Sequence, residues 1–90
     1  TGIVCLDFEK IRFPLVCRSV LEGDRIQPLG MNGRKKVCRL FIDGKIPQEI
    51  RTRVPLLVDA HSVIWVCGLC LSERVSISER TRTVLQVEII

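Results

Sequence analysis

Short β-prone runs separated by charge, glycine and proline constrain this chain more than anything else in its sequence. Ile3-Val4-Cys5-Leu6-Asp7-Phe8, Phe13 to Val20, Leu56-Leu57-Val58, Val63-Ile64-Trp65-Val66 and Arg82 to Ile89 each have the length and composition of a strand. None approaches the ~18 consecutive apolar residues of a membrane helix. Ninety residues are enough for one core and not for two. The chain therefore reads as one domain, 1–90, mainly β and on the α+β borderline.

Pairing follows from the connections. The first two runs are read as a hairpin, with Pro14 near a strand start, where its missing N–H does least harm. Glu22-Gly23-Asp24-Arg25 is a turn, and Gln27-Pro28-Leu29-Gly30 is irregular or a short edge segment. Leu56–Val58 and Val63–Val66 form a second hairpin around Asp59-Ala60-His61-Ser62, with His61 a solvated turn residue and Trp65 in the core. In the last run Val84, Gln86 and Glu88 alternate with Leu85, Val87 and Ile89, the period of a half-buried strand. The count is five or six strands.

One segment has helical spacing. Val37, Leu40 and Phe41 fall at i, i+3 and i+4, which predicts an amphipathic helix near 34–43. Asn32 or Gly33 would cap it, Gly44 would take the left-handed position after it, and Pro47 would stop it. A short helical turn near 48–53, with Pro47 at its first position, follows.

The charge is concentrated in the same place. Between Arg34 and Arg53 stand Arg34, Lys35, Lys36, Arg39, Lys45, Arg51 and Arg53 against Asp43 and Glu49. This local excess exceeds the whole chain's net charge of +4, so the rest is slightly acidic. Such a segment asks for a polyanion. With Arg34, Lys35 and Lys36 in the first helical turn, cationic side chains and free N–H groups would converge on one phosphate-sized spot.

Catalytic chemistry is not assembled. His61 has no partner in sequence, no Gly-x-Ser-x-Gly elbow occurs, and the carboxylates are scattered through turns. Gly30-Met31-Asn32-Gly33-Arg34-Lys35-Lys36 lacks the Lys-Ser/Thr ending of a nucleotide-binding loop. It has the Gly-x-x-Gly spacing of a KH clamp without the helix that must precede one. The five cysteines are dispersed, as reduced core cysteines are. Cys67-Gly-Leu-Cys70 has the gap of a metal knuckle, but only Cys38 or His61 could complete a zinc site. No catalytic or metal-ligating residue is assigned. Four aromatics without a Tyr leave no aromatic row for a single-strand binder.

A more specific pattern spans the chain: Arg18-Ser19, Gly23-Asp24-Arg25-x-x-Pro28-Leu29-Gly30-Met31, Lys35-Lys36, Phe41-Ile42-Asp43-x-Lys45-Ile46-Pro47, Arg51, Pro55-Leu56-Leu57-Val58 and Ile64-Trp65-Val66-x-Gly68. In order and spacing it resembles the C-terminal domain of the bacterial tRNA(Ile)-lysidine synthetase family, over 13–89. The resemblance implies a small antiparallel β-sandwich of unusual topology with a helix, similar to a domain of the phenylalanyl-tRNA synthetase β subunit. It implies a piece of a longer chain, a parent ligase that uses ATP and Mg²⁺ in an N-terminal catalytic domain to adenylate the wobble cytidine of a minor isoleucine tRNA and attach lysine. This domain would itself be non-catalytic and carry no cofactor.

Its implied partners are that tRNA, through the acceptor stem, and the parent catalytic domain, with a homodimer formed through the parent, in the cytoplasm and without a membrane. The resemblance implies RNA contact at Lys35, Lys36, Lys45 and Arg51, and at Arg18, Arg25 and Arg34; the charge cluster adds Arg39 and Arg53. Where relatives often have a base, Cys70 stands here. A-form RNA is read by phosphate and 2′-hydroxyl geometry, which suits a rigid basic surface. The rival readings are a domain that docks on its parent without touching RNA, and a metal module.

Overall fold

The computed structural model describes residues 2–90; Thr1, the first residue of the predicted domain, lies outside them. In chain order the elements are β1 (Gly2–Asp7), a 3-10 turn (Phe8–Lys10), β2 (Val16–Arg18), β3 (Arg25–Ile26), β4 (Lys35–Lys36), α1 (Val37–Asp43), α2 (Gln48–Arg51), β5 (Leu56–Val58), β6 (Val63–Val66), β7 (Cys70–Leu71), a 3-10 turn (Glu73–Val75) and β8 (Val84–Ile89). The strands form a four-stranded sheet in the order β2-β5-β6-β7 and two ribbons, β1-β8 and β3-β4. Every pairing is antiparallel.

All four residues of β6 are buried because the four-stranded sheet is covered on both faces. On one, Leu57, Ile64 and Trp65 pack with Leu6, Ile11 and Val75 and with the inward Val4, Leu85, Val87 and Ile89 of the β1-β8 ribbon. On the other, Leu56, Val63 and Val66 pack with Ile26 of β3 and Val37 and Phe41 of α1. Full burial of an aliphatic or aromatic side chain is worth ~1.5–3 kcal/mol, so this second cluster fixes α1 and the β3-β4 ribbon on the sheet.

Mainly β architecture, the β5-β6 hairpin, the core position of Trp65 and the alternation in β8 are as the sequence predicts. Other expectations need correction. The first two predicted strands are not a hairpin: β1 pairs along its whole length with β8, Gly2 opposite Ile89 through Asp7 opposite Val84, while β2 pairs with β5. The helix begins at Val37 and not at Arg34, with Lys36 as its N-cap in place of Asn32 or Gly33. Arg34, Lys35 and Lys36 precede it because β4 pairs with β3 and the Val37 N–H donates to the Asp24 carbonyl at 2.9 Å. The second helical turn is Gln48–Arg51, with Pro47 as its N-cap and not its first residue, and it ends two positions before Arg53.

At the end of α1, Gly44 is not left-handed (φ −82°); Lys45 is, with φ +56°. The Ile46 N–H reaches back to Phe41 and the Lys45 N–H to Ile42, which closes the helix but places a side chain where glycine is favoured. The left-handed conformation costs a Cβ-bearing residue roughly 1 kcal/mol. Lys45→Gly is therefore expected to raise unfolding stability by about 0.5 kcal/mol after the larger chain entropy of glycine is deducted, measured by urea denaturation. A destabilised Gly variant would show that the Lys45 stem contributes packing that outweighs the strain.

Candidate nucleic-acid interface

The ribbon β3-β4 carries the densest free positive charge. It starts from a turn closed by the Asp24 N–H to the Leu21 carbonyl at 3.1 Å, with Gly23 at φ +88°, a conformation a side chain would oppose. Ile26 is fully buried and pins one position of the ribbon. Its neighbour Arg25 stands directly opposite Lys36, and both are exposed. Like charges facing each other across an antiparallel pair cost roughly 0.2–1 kcal/mol, a cost that an anion lying across the ribbon would reverse.

The nine cations named from the sequence fall into two groups. Arg18 makes a two-pronged contact with Asp24, Nη1 to Oδ2 at 2.8 Å and Nη2 to Oδ1 at 2.9 Å. This hydrogen bonding raises the Arg18 pKa and, with the Leu21 N–H, holds the Asp24 carboxyl below the ordinary range. Lys35 and Arg39 both turn to Asp43, whose carboxyl is held down chiefly by the Lys35 hydrogen bond. Arg51 spends its Nε on the Ile46 carbonyl at 2.9 Å. Arg25, Arg34, Lys36, Lys45 and Arg53, by contrast, have no carboxylate within ion-pair distance among the described residues. The convergence expected at the helix start does not form, since Lys35 reaches the far end of α1.

A second cationic feature escaped the sequence. The β5-β6 turn is built on Asp59, whose carboxylate is fully buried. It accepts from the backbone N–H groups of Arg12 (3.0 Å), His61 (2.9 Å) and Ser62 (3.0 Å) and from Arg74 Nη2. Burial pushes this carboxyl up, but the Arg74 hydrogen bond and the three N–H donors together outweigh it and hold the pKa at about 2. Beside the turn lie two cavities. One, of about 320 Å³, is lined by Arg18, Arg25, Arg34 and the 58–63 segment; the other, of about 340 Å³, by Gln27, Arg34, His61, Ser62, Ser72 and Arg74. Arg34, His61 and Ser62 line both, so the two adjoin along one groove-like face beside the turn. Only Arg18, Arg25 and Arg34 of its lining were expected from the sequence; Arg74 and His61 lie far from the basic segment along the chain, and no spacing rule connects them to it.

Phe8 and Phe13 are exposed with ring centroids 5.4 Å apart, a pair and not a row. Cys67 packs against the cluster on one face of the central sheet and Cys70 against the cluster on the other, so this pair of thiols does not share a face. Burial pushes the Cys70 thiol up, away from the thiolate a metal would need. Among the described residues no three His, Cys, Asp or Glu side chains are grouped as a metal site, and no helix is long and apolar enough to cross a membrane.

Comparison with known proteins places this architecture. The chain is 41% identical over 86 residues to a protein of Dehalococcoides mccartyi (strain CBDB1), and 46% identical over 81 residues to one of Bacillus subtilis (strain 168), each named tRNA(Ile)-lysidine synthase. These matches cover 96% and 87% of this chain but only 18% and 17% of the relatives, so the chain spans less than a fifth of their length. A crystal structure described as a TILS C-terminal domain superposes with a TM-score of 0.81 at 31% identity, over 94% of this chain and 65% of that one. An N-terminal fragment of the phenylalanyl-tRNA synthetase β subunit from Pyrococcus horikoshii shares the fold, with a TM-score of 0.77 at 20% identity, over 93% of this chain and 26% of that one. The family described as TilS substrate C-terminal domain matches residues 12–88. With nearly the whole chain inside that match and the same fold in a solved member, this protein belongs to the TilS substrate C-terminal domain family.

Proposed function

We propose that this chain is the non-catalytic, tRNA-binding C-terminal part of a tRNA(Ile)-lysidine synthase, and that it holds the acceptor-stem region of a minor isoleucine tRNA while the remainder of the enzyme ligates lysine to the wobble cytidine. The observation that carries the reading is the facing pair of unpaired cations on the ribbon, Arg25 opposite Lys36, with exposed Arg34 adjoining. Lys45, after α1, and Arg53, after α2, are further exposed cations without a carboxylate partner among the described residues. Arg18, Lys35, Arg39 and Arg51, already bonded within the protein, shape the surface and supply weaker contacts. The basic end of α1 thus contributes through the residues that lead into the helix, not through free N–H groups of its first turn.

A duplex stem offers phosphates at fixed A-form spacing, and Arg and Lys on a rigid ribbon meet them as a fork and as a point charge. ATP and Mg²⁺ would be held outside this chain, whose 30–36 loop lacks the Lys-Ser/Thr ending they require.

The test is a titration of the chain with an acceptor-stem hairpin over a range of salt. Arg25→Ala with Lys36→Ala is expected to lower affinity and to flatten the slope of log K against log salt by about 0.7–0.9 for each phosphate that the double variant no longer neutralises. Undiminished affinity in that double variant, with an intact circular dichroism spectrum, removes the proposed site. No binding by the unaltered chain, with tight docking on the rest of the enzyme, leaves the scaffold reading in its place.

A further inference from the structure

We propose that the groove between the β3-β4 ribbon and the β5-β6 turn is a site for one unpaired nucleotide. Its two compartments have different chemistry. The first, about 320 Å³, is cationic, with Arg25 and Arg34 free and Arg18 beside them. The second, about 340 Å³, shares Arg34, His61 and Ser62 with the first and adds the Gln27 amide, the Ser72 hydroxyl and Arg74. Small-molecule sites begin at roughly this size, about 300 Å³. Arg34 stands where the two compartments meet, and Arg74, the further cation of the second, is already paired with Asp59; a cationic end followed by an end with hydrogen-bonding edges matches the phosphate and base of a nucleotide.

The carboxylates in the lining do not oppose an anion there. Asp24 is closed by both prongs of Arg18 and the Leu21 N–H. Asp59 is buried and closed by Arg74 and three backbone N–H groups. What remains uncompensated at the first compartment is the charge of Arg25 and Arg34. In the second, Gln27 donates through Nε2 to the Met31 carbonyl at 2.8 Å, which fixes the amide and leaves its oxygen as an acceptor. The half-buried Ser62 Oγ accepts from Arg74 Nη2 at 3.3 Å, leaving its own hydrogen to donate. An amide acceptor and a hydroxyl donor at fixed positions are what a base edge or a ribose hydroxyl pairs with.

The inference deepens the RNA reading, on which the identity of the nucleotide's source rests: Arg25 of the ribbon lines the first compartment, so an unpaired residue of an RNA held on the ribbon is the proposed occupant. A free mononucleotide would present the same chemistry, so the experiment separates the two. The 90-residue chain is titrated with inorganic phosphate, with cytidine and adenosine 5′-monophosphates, and with an acceptor-stem hairpin that is either blunt or carries a single-stranded 3′ overhang, with amide resonances followed by NMR.

Shifts centred on Arg34, His61 and Ser62 with either monophosphate, larger than with phosphate alone, are expected, as is several-fold tighter binding of the overhang than of the blunt hairpin. Arg34→Ala, at an exposed residue whose loss leaves the fold intact, should abolish the monophosphate shifts and the overhang advantage together. Gln27→Ala should narrow the difference between a monophosphate and phosphate. Monophosphate shifts without an overhang advantage keep the site and assign it to a free nucleotide. If neither the monophosphates nor the overhang perturbs these residues, the site is overturned, whether or not the blunt hairpin binds. Failure of both hairpins, with the monophosphate shifts present, overturns the RNA reading alone.

Discussion

Asp59→Ala is expected to destabilise the domain by about 3–5 kcal/mol, the cost of breaking a buried ion pair from one side. Four donors converge on this carboxylate, and it is buried while Arg74 is only partly exposed. Removing it strands three backbone N–H groups and a guanidinium whose Nε already has no partner. A domain of this length has a total stability of roughly 5–13 kcal/mol, so the loss is a large share of it. Urea unfolding measures it, with Asp59→Asn as the informative companion: the amide keeps the shape and one acceptor oxygen but loses the charge, and should fall between the parent and the Ala variant.

The pH dependence has a definite sign. The folded carboxyl titrates at about 2 against an ordinary 3.8, so its contribution is fully present above the unfolded value. It is lost as pH falls from about 4 toward 2, and integrating the shift gives ~2 kcal/mol. The Ala variant should show a flatter acid limb of stability. A loss below about 1 kcal/mol at neutral pH, or an unchanged acid limb, would show that the turn is held by its backbone alone.

Phe41→Ala is the second large effect, with an expected loss of about 3–5 kcal/mol. Phe41 is wholly buried and shares its cluster with Ile26, Val37, Leu56, Val63 and Val66. With Val37 it packs α1 on the central sheet, and Ile26 in the same cluster holds the cationic ribbon. At about 4–8 °C per kcal/mol for a domain of this size, the melting midpoint should fall by well over 10 °C. Phe41→Leu, which keeps most of the volume, should cost under about 1.5 kcal/mol. On the proposed RNA site, the Ala variant is also expected to lower affinity for the acceptor-stem hairpin at temperatures where it remains folded, whereas Lys36→Ala is expected to lower that affinity with little change in stability.

Particular residues show why some of this was legible and some was not. The Val37, Leu40, Phe41 stripe announced a helix because helical spacing is a local property. The start differs because Asn32 and Gly33 meet local capping preferences that Lys36 does not, while the pairing of Lys35–Lys36 with Arg25–Ile26, which keeps them extended, is a contact between segments that local preferences do not register. The hairpin assigned to the first two strands failed for a similar reason: Ile3–Leu6 and Val84–Ile89 are as β-prone as any neighbour, and their pairing is decided by burial against Trp65 and Ile64.

By itself the sequence determined that the chain is mainly β, that its positive excess sits between Arg34 and Arg53, and which family pattern it carries, since hydrophobic period, local charge and motif order are written along the chain. Only the tertiary structure decided which cations are free. Arg18, Lys35 and Arg39 are matched by Asp24 and Asp43, and Arg74 by Asp59, so Arg25, Arg34 and Lys36 are left facing outward beside a groove closed by a distant turn. Ion pairing depends on distances of a few ångströms in space, and folding sets those distances through residues that the sequence keeps far apart.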